Sequence, residues 1–230
     1  MPHSEILWWN FNIPSYQQTL KCPDSLVHLS DKDRRLIGSW DSDYDRLTWD
    51  EVKEIIAANR IDEFQRVPSD LRRYRQYIYN LQNTHGSVLK YIQNNLLRWP
   101  TLDPKGPPFT CPTDVKILYN DWPYGLDERI IHLVVWTKFE LEEDERTGDL
   151  TDAARNQIQD YVDHTFGSRM DSRDVAWFKN WTSLKSIEAV EHFHVMLFDP
   201  DMDFISQITW GHVPMCEQLR PNRLEKVMGY

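Results

Sequence analysis

One stretch of alternating residues constrains the fold of this chain more than any other feature. Residues 191 to 198, Glu-His-Phe-His-Val-Met-Leu-Phe, follow the period of two that predicts a β-strand. Successive side chains of a strand point to opposite faces of its sheet. His192, His194 and Met196 therefore share one face, and the apolar residues between them form the opposite, core-facing side. Two imidazoles on one wall of a sheet are candidate acid–base groups.

A second region has the same alternating character. Residues 115 to 119 are largely apolar, residues 120 to 125 (Asn-Asp-Trp-Pro-Tyr-Gly) predict a turn, and residues 130 to 138 predict another strand. One face of that strand carries His132, Val134, Trp136 and Lys138. If this strand pairs with residues 191 to 198, His132 joins the other two histidines.

The loop before the histidine strand adds polar groups that suit catalysis. Asn180 supplies an amide, Ser183 a hydroxyl and Lys185 a cation. A lysine of lowered pKa can activate a serine, so Ser183 with Lys185 is a candidate pair, although this spacing is also common by chance. In the turn, Asn120 and Asp121 could orient a substrate or could serve only to form the turn.

The histidines leave three interpretations open. His192, His194 and His132 could bind zinc, because alternate histidines on one strand present their nitrogens side by side. They could act as acid and base, or they could be structural residues bonded to backbone carbonyls. No other histidine or carboxylate stands at a diagnostic metal-ligand spacing, so we expect neither a metal nor another cofactor.

Composition restricts the class of protein. A chain of 230 residues and 27.5 kDa suits one domain, and 10 Trp, 10 Tyr and 9 Phe predict aromatic-lined pockets. No apolar run approaches the roughly 20 residues of a membrane helix, and the first residues lack the plan of a signal peptide. We therefore expect a cytoplasmic protein without a membrane partner. Cys22, Cys111 and Cys216 follow no disulfide or zinc spacing and predict reduced thiols.

The net charge of −10 is unevenly distributed. Acidic residues concentrate between positions 140 and 163, which leaves the rest of the chain closer to neutral. Basic residues cluster at positions 32 to 35, 66 to 75 and 220 to 226. The local field, rather than the net charge, steers a polyanion toward a protein surface. An acidic total charge therefore does not exclude a nucleic-acid partner.

Helical signals dominate the first part of the chain. A capping box that begins at Thr48 starts a helix to about Asn59. Pro68 begins a second helix, which Gly86 ends, and residues 87 to 99 predict a third. Later helices are predicted from Thr151 to about His164 and from Asp201 to Thr209, followed by an irregular tail.

Residues 100 to 112 are rich in proline and predict a stiff connector. This connector divides a helical N-terminal part, residues 1 to 99, from an α/β part, residues 113 to 230. We predict a single domain of the α+β class, in which the helical part packs on a small, mainly antiparallel sheet.

Four arginines lie on or just before the second predicted helix, interleaved with tyrosines. They are Arg66, Arg72, Arg73 and Arg75. Arginine with an aromatic ring suits contact with a phosphate and stacking on a base. An ordinary helix with a solvated, charged face gives the same pattern.

Five motifs together resemble the fungal N-acetylglucosamine-induced protein family, which includes the arginine-containing cyclodipeptide synthases. The motifs are FQRVPSDLRRY at residues 64 to 74, YNDWPYG at 119 to 125, HLVVWTKF at 132 to 139, NWTSLKS at 180 to 186 and EHFHV at 191 to 195. These synthases take arginine from arginyl-tRNA and a second amino acid from another aminoacyl-tRNA and join them as a diketopiperazine. The resemblance therefore implies two charged tRNAs as partners.

The resemblance also implies roles for residues. The implied catalytic set is His192, His194, Lys185, Ser183, Asn180 and Asn120. The implied substrate site comprises Asp121, Glu191, Trp136, Trp181, Trp122, His132 and Lys138. Within it, Asp121 or Glu191 would pair with the substrate guanidinium, and the four arginines would meet the tRNA acceptor stem.

Two other functions fit the same residues. One is a metal- or histidine-dependent enzyme that acts on a nucleotide sugar, which the family's name and the histidines suggest. The other is a regulatory protein that binds an N-acetylglucosamine metabolite in its aromatic pocket without turnover.

Overall fold

A computed structural model describes residues 6 to 181 and 190 to 220. These residues form seven α-helices and a four-stranded antiparallel sheet, which confirms the predicted α+β class. The elements in chain order are α1 Asp31–Ile37, α2 Trp49–Ala57, α3 Pro68–His85, α4 Val88–Tyr91, β1 Val115–Tyr119, β2 Ile130–Thr137, α5 Asp152–Phe166, β3 Val175–Phe178, β4 His192–Phe198, α6 Met202–Ile208 and α7 Met215–Gln218. None of the helices in this described part is long and apolar enough to cross a membrane.

The two strands that carry histidines are neighbours at the centre of the sheet. The strand order is β1-β2-β4-β3, and β2 pairs with β4 in antiparallel register. In this register Val134 lies opposite His194, and His132 lies opposite Met196. The pairing that the alternating pattern left open is therefore present, and all three histidines lie on one face.

The opposite face of the sheet forms the main core. Leu133, Val135 and Phe193 from β2 and β4 are each fully buried there. They pack with residues of α5 and α6, including Ile158 and Ile205. The core-facing assignment made from the alternation is confirmed, and burial of these side chains fixes which face the histidines occupy.

Local signals set the ends of the N-terminal helices as the sequence predicted. Thr48 accepts a hydrogen bond from the Glu51 amide and completes a capping box at the start of α2. Pro68 is the first residue of α3, and Gly86 ends that helix with φ 69°.

Two expectations from the sequence are corrected. The helix predicted over residues 87 to 99 is α-helical only in α4, since Ile92–Leu97 forms a π-helix that ends at Arg98 with φ 55°. The tail after α6 is not wholly irregular, because it contains α7. Contacts distant in sequence explain α7, since the amides of Met215 and Cys216 both donate to Asp121.

Candidate active site

A cavity of 590 Å³ lies between the histidine face of the sheet and the N-terminal helices. His192, His194 and Trp136 from the sheet line it. The loops that follow β1 and β3 contribute Asn120, Asp121, Trp122, Tyr124 and Asn180, and α1 and α3 contribute charged and aromatic residues. The cavity therefore combines bases, amides, a carboxylate and flat rings. Cavities of this size hold small ligands.

A chain of four side chains runs through the buried part of this site. The His132 Nε2 atom lies 2.9 Å from His194 Nδ1. At one end, Asn120 Nδ2 lies 3.2 Å from His132 Nε2, and at the other end Asn180 Nδ2 lies 3.2 Å from His194 Nε2. Strands β2 and β4 hold the two imidazoles, while the asparagines follow β1 and β3.

The orientation of the Asn120 side-chain amide indicates which ring nitrogen carries the proton in His132 and in His194. The Asn120 carbonyl oxygen accepts from the Trp122 amide, so Asn120 Nδ2 is the end that faces His132. Since Nδ2 can only donate, His132 Nε2 accepts and the ring proton of His132 is on Nδ1. His194 then donates from Nδ1 to the same His132 Nε2 lone pair, which it shares with Asn120, and the His194 Nε2 lone pair accepts from Asn180 Nδ2. His194 thus presents a basic nitrogen beside the cavity.

Burial keeps this pair uncharged. It lowers the pKa of His132 to about 3, with a further contribution from the positive charge of Arg66. The pKa of His194 is lowered well below its usual value by burial, then by the neighbouring His132 and His192 and by Arg66. At neutral pH both rings are therefore neutral, as a general base requires.

His192 occupies a different position on the same wall. Its Nδ1 lies 2.8 Å from the carbonyl oxygen of Val190 and donates to that oxygen. The ring lies against Trp136, with 4.7 Å between their centroids, and edge-on to His194 at 5.6 Å. Both of the predicted catalytic histidines thus line the cavity.

Arg66 provides a positive charge in the cavity. Its guanidinium lies 4.2 Å from the centroid of the Tyr74 ring and 5.3 Å from that of Tyr124, and its Nε donates to the Trp122 carbonyl oxygen. Within residues 6 to 181 and 190 to 220, it forms no ion pair with a carboxylate. This charge also depresses the pKa of both buried histidines.

Asp121 provides the opposite charge. Burial raises its pKa to about 6, although a hydrogen bond from the Met215 amide partly offsets that effect. Its nearest cationic group in the described chain is His212, whose Nε2 lies 3.5 Å from Oδ1. Burial lowers the pKa of His212, which makes this imidazole a weak counterion at neutral pH. Asp121 is thus a carboxylate that a cationic ligand would stabilise.

Other predicted substrate residues are distributed more widely. Trp122 and Trp136 line the cavity, whereas Trp181 packs in the cluster around Phe64 and Phe178. Glu191 Oε2 lies 3.4 Å from Lys179 Nζ, outside the cavity lining. Lys138 lies outside it too, within 3.9 Å of the buried Asp114 carboxylate. Ser183 and Lys185 lie outside the described residues.

The other three arginines predicted to contact tRNA make contacts within the protein. Arg72 Nε donates to the Trp9 carbonyl oxygen, and Arg73 pairs with Asp70 and donates to the Cys216 carbonyl oxygen. Arg75 pairs with Asp33 at the cavity wall. They are partly buried rather than forming one solvated stripe, and their contact with tRNA stays a prediction.

Tyr124 is a site residue that the analysis of sequence did not identify. Its ring lies 5.1 Å from the ring of His132 and stacks on Phe64. Burial raises the pKa of its phenol, which keeps it protonated at neutral pH. The signal was present in the YNDWPYG motif, but aromatic residues of a turn pack in a core more often than they line a site.

The zinc interpretation receives no support from the geometry. In the described part of the chain, no group of three or more His, Cys, Asp or Glu residues is placed to hold a metal ion. The three histidines instead bond to each other, to asparagine amides and to a backbone carbonyl. These hydrogen bonds involve both ring nitrogens of His194 and one nitrogen each of His132 and His192.

The buried histidines predict how stability depends on pH. His132 has a pKa of about 3 when folded and 6.5 unperturbed, so the unfolded chain binds a proton between these values that the folded chain does not. The free energy of unfolding should fall as the pH decreases from 6.5 toward 3. His132→Gln should reduce this slope by up to about 1.4 kcal/mol per pH unit, the value for one proton. Urea unfolding at several pH values measures it, and an unchanged slope would contradict the assignment.

Comparison with known proteins gives consistent matches. The chain is 28% identical over 188 residues to N-acetylglucosamine-induced protein 1 of Candida albicans, covering 73% of this chain and 74% of that protein. It is 26% identical over 159 residues to an uncharacterized protein of Saccharomyces cerevisiae, covering 66% and 79% of the two chains.

Structural and family comparisons extend this result. The crystal structure of HTC1 has the same fold, with a TM-score of 0.58 and 23% identity over 71% of this chain and 95% of that one. A family model matches residues 48 to 198, a range that contains α2, the whole sheet and all three site histidines. The chain therefore belongs to the family described as protein of unknown function DUF3605.

Proposed function

We propose that this protein is a tRNA-dependent cyclodipeptide synthase that takes arginine from arginyl-tRNA and a second amino acid from another aminoacyl-tRNA. One observation carries the proposal: a single cavity is lined by the neutral His194, which is hydrogen-bonded to His132, and by Asp121, a partly buried carboxylate that lacks a lysine or arginine partner in the described chain. The first suits acyl transfer between activated esters, and the second suits a guanidinium. The motifs quoted above support the same reaction.

Each step of this reaction transfers an acyl group from an ester. The amine of one aminoacyl group attacks the ester carbonyl carbon of the other, a C–N bond forms, and the C–O bond to the ribose breaks. The second amine then attacks the remaining ester carbonyl and closes the ring. In each step a proton leaves the amine and a proton is delivered to the departing ribose oxygen, so one group can act as base and then as acid.

His194 fits this role through its Nε2 lone pair. The Asn180 amide donates to that nitrogen in the present structure, and a substrate amine would replace it as donor. When Nε2 gains a proton, the Nδ1–H bond to His132 Nε2 stabilises the resulting imidazolium. The displaced Asn180 amide would then be available to the oxyanion. His192 lines the same cavity and is the second candidate for the base.

Asp121 is the better of the two predicted partners for the substrate guanidinium. It lines the cavity, whereas Glu191 lies beside Lys179 and outside the lining. A guanidinium bound in two hydrogen bonds would also favour ionisation of Asp121 and lower its raised pKa. Flat rings that can stack on a guanidinium, such as Trp122, line the same cavity.

Asp121→Asn should lower kcat/KM for arginyl-tRNA by roughly 30-fold or more, the range for losing one partner of a desolvated charge pair. In the wild type, kcat/KM should fall below about pH 6, because protonation of Asp121 removes its charge. The variant should lack this acidic limb. Asp160→Asn, an exposed carboxylate on α5, is the matched control. If kcat/KM of Asp121→Asn decreased at low pH with the same midpoint as in the wild type, this result would contradict the assignment of Asp121.

The reaction itself is tested with charged tRNA. The purified protein is incubated with aminoacylated total tRNA, and cyclic dipeptides that contain arginine are measured by mass spectrometry. We expect a product that disappears when arginyl-tRNA is omitted. Absence of product with fully charged tRNA would overturn the proposal.

A second candidate is an enzyme or regulatory binder for a phosphorylated sugar such as a nucleotide sugar. Arg66 favours it, because this cation lies among aromatic rings of the cavity without a carboxylate partner in the described chain. The name of the Candida albicans relative points the same way. A thermal-shift series with UDP-N-acetylglucosamine should then show stabilisation that Arg66→Met removes, and an unshifted melting temperature would contradict this candidate.

A further inference from the structure

A second cavity of 390 Å³ adjoins the first. Tyr91, Leu96 and Asp121 line both of them. The remaining wall of the second cavity comes from the π-helix end, from β1 and from the segment that joins α6 to α7. A ligand in this cavity would therefore lie directly beside the candidate active site.

Two cations face this second cavity. Arg98 is exposed and, among the described residues, forms no ion pair with a carboxylate. The ammonium of Lys116 donates to the carbonyl oxygens of Leu96 and Leu97, which leaves one of its three N–H donors for a ligand. These two positive charges outnumber Asp121, the one carboxylate among the described residues that line this cavity, and together they suit an anion such as a phosphate.

Trp210 supplies an aromatic surface at the same cavity. Its side chain is 84% exposed, which is unusual for so large an apolar residue. Trp210 has φ 57° and the following Gly211 has φ 67°, a conformation that costs free energy for a residue with a side chain. The backbone is nevertheless held, since the amides of Trp210 and Gly211 donate to the carbonyl oxygens of Gln207 and Ser206. The backbone that presents this exposed indole is thus held in place.

We propose that this second cavity binds a nucleoside phosphate, with the base stacked on Trp210 and the phosphate held by Arg98 and Lys116. Aromatic stacking combined with a basic groove is the usual way to bind single-stranded nucleic acid without base specificity. This inference rests on the proposed function. The unpaired 3′ end of a tRNA would supply the nucleoside phosphate, and the aminoacyl ester at that end would enter the adjoining cavity. A free nucleotide has the same chemistry and is the other possible source.

The test measures binding without turnover. A fluorescein-labelled ACCA ribonucleotide, the sequence type of a tRNA 3′ end, is titrated with the full-length protein and followed by fluorescence anisotropy. Trp210→Ala should weaken binding about 5- to 150-fold, the factor that corresponds to loss of one stacked base. Arg98→Asn should also weaken binding, and it should reduce the slope of log affinity against log salt concentration by about 1, as expected for loss of one phosphate contact. Asparagine is chosen because it tolerates the positive φ of Arg98.

Two matched controls keep the test specific. Trp40→Ala removes another exposed tryptophan, and Arg146→Gln removes another exposed arginine, both away from this cavity. Neither should change the affinity more than about twofold, as is usual for surface substitutions. Melting temperatures of all four variants show whether each is folded.

Competition with AMP distinguishes the two sources of the ligand. If AMP fails to displace the RNA, the site selects a polynucleotide end, and if AMP displaces it at equal concentration, the site selects a free nucleotide. Equal affinity for RNA in the wild type, Trp210→Ala and Arg98→Asn, or no binding of either probe, would overturn the inference. Binding without dipeptide formation would overturn only the proposed synthase activity, whereas dipeptide formation with unchanged binding in the variants would overturn only this inference.

Discussion

His194→Ala is expected to lower kcat/KM for dipeptide formation by about 10²- to 10⁴-fold, the range for loss of a general base. The reason is geometric: His194 Nε2 carries the lone pair that faces Asn180 beside the cavity, and His194 Nδ1 is hydrogen-bonded to His132. Alanine removes the basic nitrogen and the imidazolium that His132 would stabilise. Product formation from charged tRNA, measured at several substrate concentrations, gives the value.

Two variants separate chemistry from stability in that experiment. His164→Ala removes an exposed histidine on α5 and should leave kcat/KM unchanged. His194→Gln keeps a hydrogen-bonding side chain of similar length but cannot act as a base, so it should be as inactive as alanine while remaining closer to wild type in melting temperature. Turnover retained in His194→Ala would remove the residue from the mechanism and leave His192 as the base.

Lys138→Met is expected to lower the free energy of unfolding by about 3–5 kcal/mol, the cost of leaving a buried charge without its partner. The Lys138 and Asp114 side chains are 5% and 1% exposed, and their charged atoms lie 3.9 Å apart. The Lys105 amide also donates to Asp114 Oδ2. This hydrogen bond links the proline-rich connector to the residue that precedes β1. Urea denaturation measures the change.

The double variant Lys138→Met with Asp114→Asn is the control for that measurement. It removes both charges and should recover a large part of the lost stability, because a neutral amide is less costly to bury than an unpaired carboxylate. Lys21→Met, at an exposed ion pair, should change stability by less than about 0.5 kcal/mol. If Lys138→Met instead unfolds like the wild type and loses substrate affinity, the substrate role predicted from the resemblance is the correct one.

Patterns of short range made much of the fold predictable. The period of two over residues 191 to 198 placed His192 and His194 on one face, because successive side chains of a strand alternate between the faces of its sheet. The same period over residues 130 to 138 defined the face of His132, and the pairing of the two strands then brought the three histidines together. Caps at Thr48 and Pro68 set the helix starts, since each satisfies or avoids free amides within one turn. Strand periodicity and helix caps depend on residues that are close together in the chain, so both can be identified from a single sequence.

The rest depends on contacts between distant residues. The 2.9 Å contact between His132 and His194 joins strands 62 residues apart, so only the sheet pairing reveals it. Asp121 and Glu191 were the two candidate carboxylates for the guanidinium, and the contacts of Asp121 with Met215 and His212 that distinguish it join residues more than 90 positions apart. The π-helix over Ile92–Leu97 was also unpredicted, because its composition suits an α-helix.

The strand order has a consequence for motion at the site. β2 and β4, which carry all three histidines, each have a strand on both sides, whereas β3 is an edge strand and leads into Asn180. Backbone amides of central strands are released only by large-scale opening, while those at a sheet edge open locally and faster. The candidate base therefore belongs to the slowest-opening part of the molecule and its amide partner to a faster one.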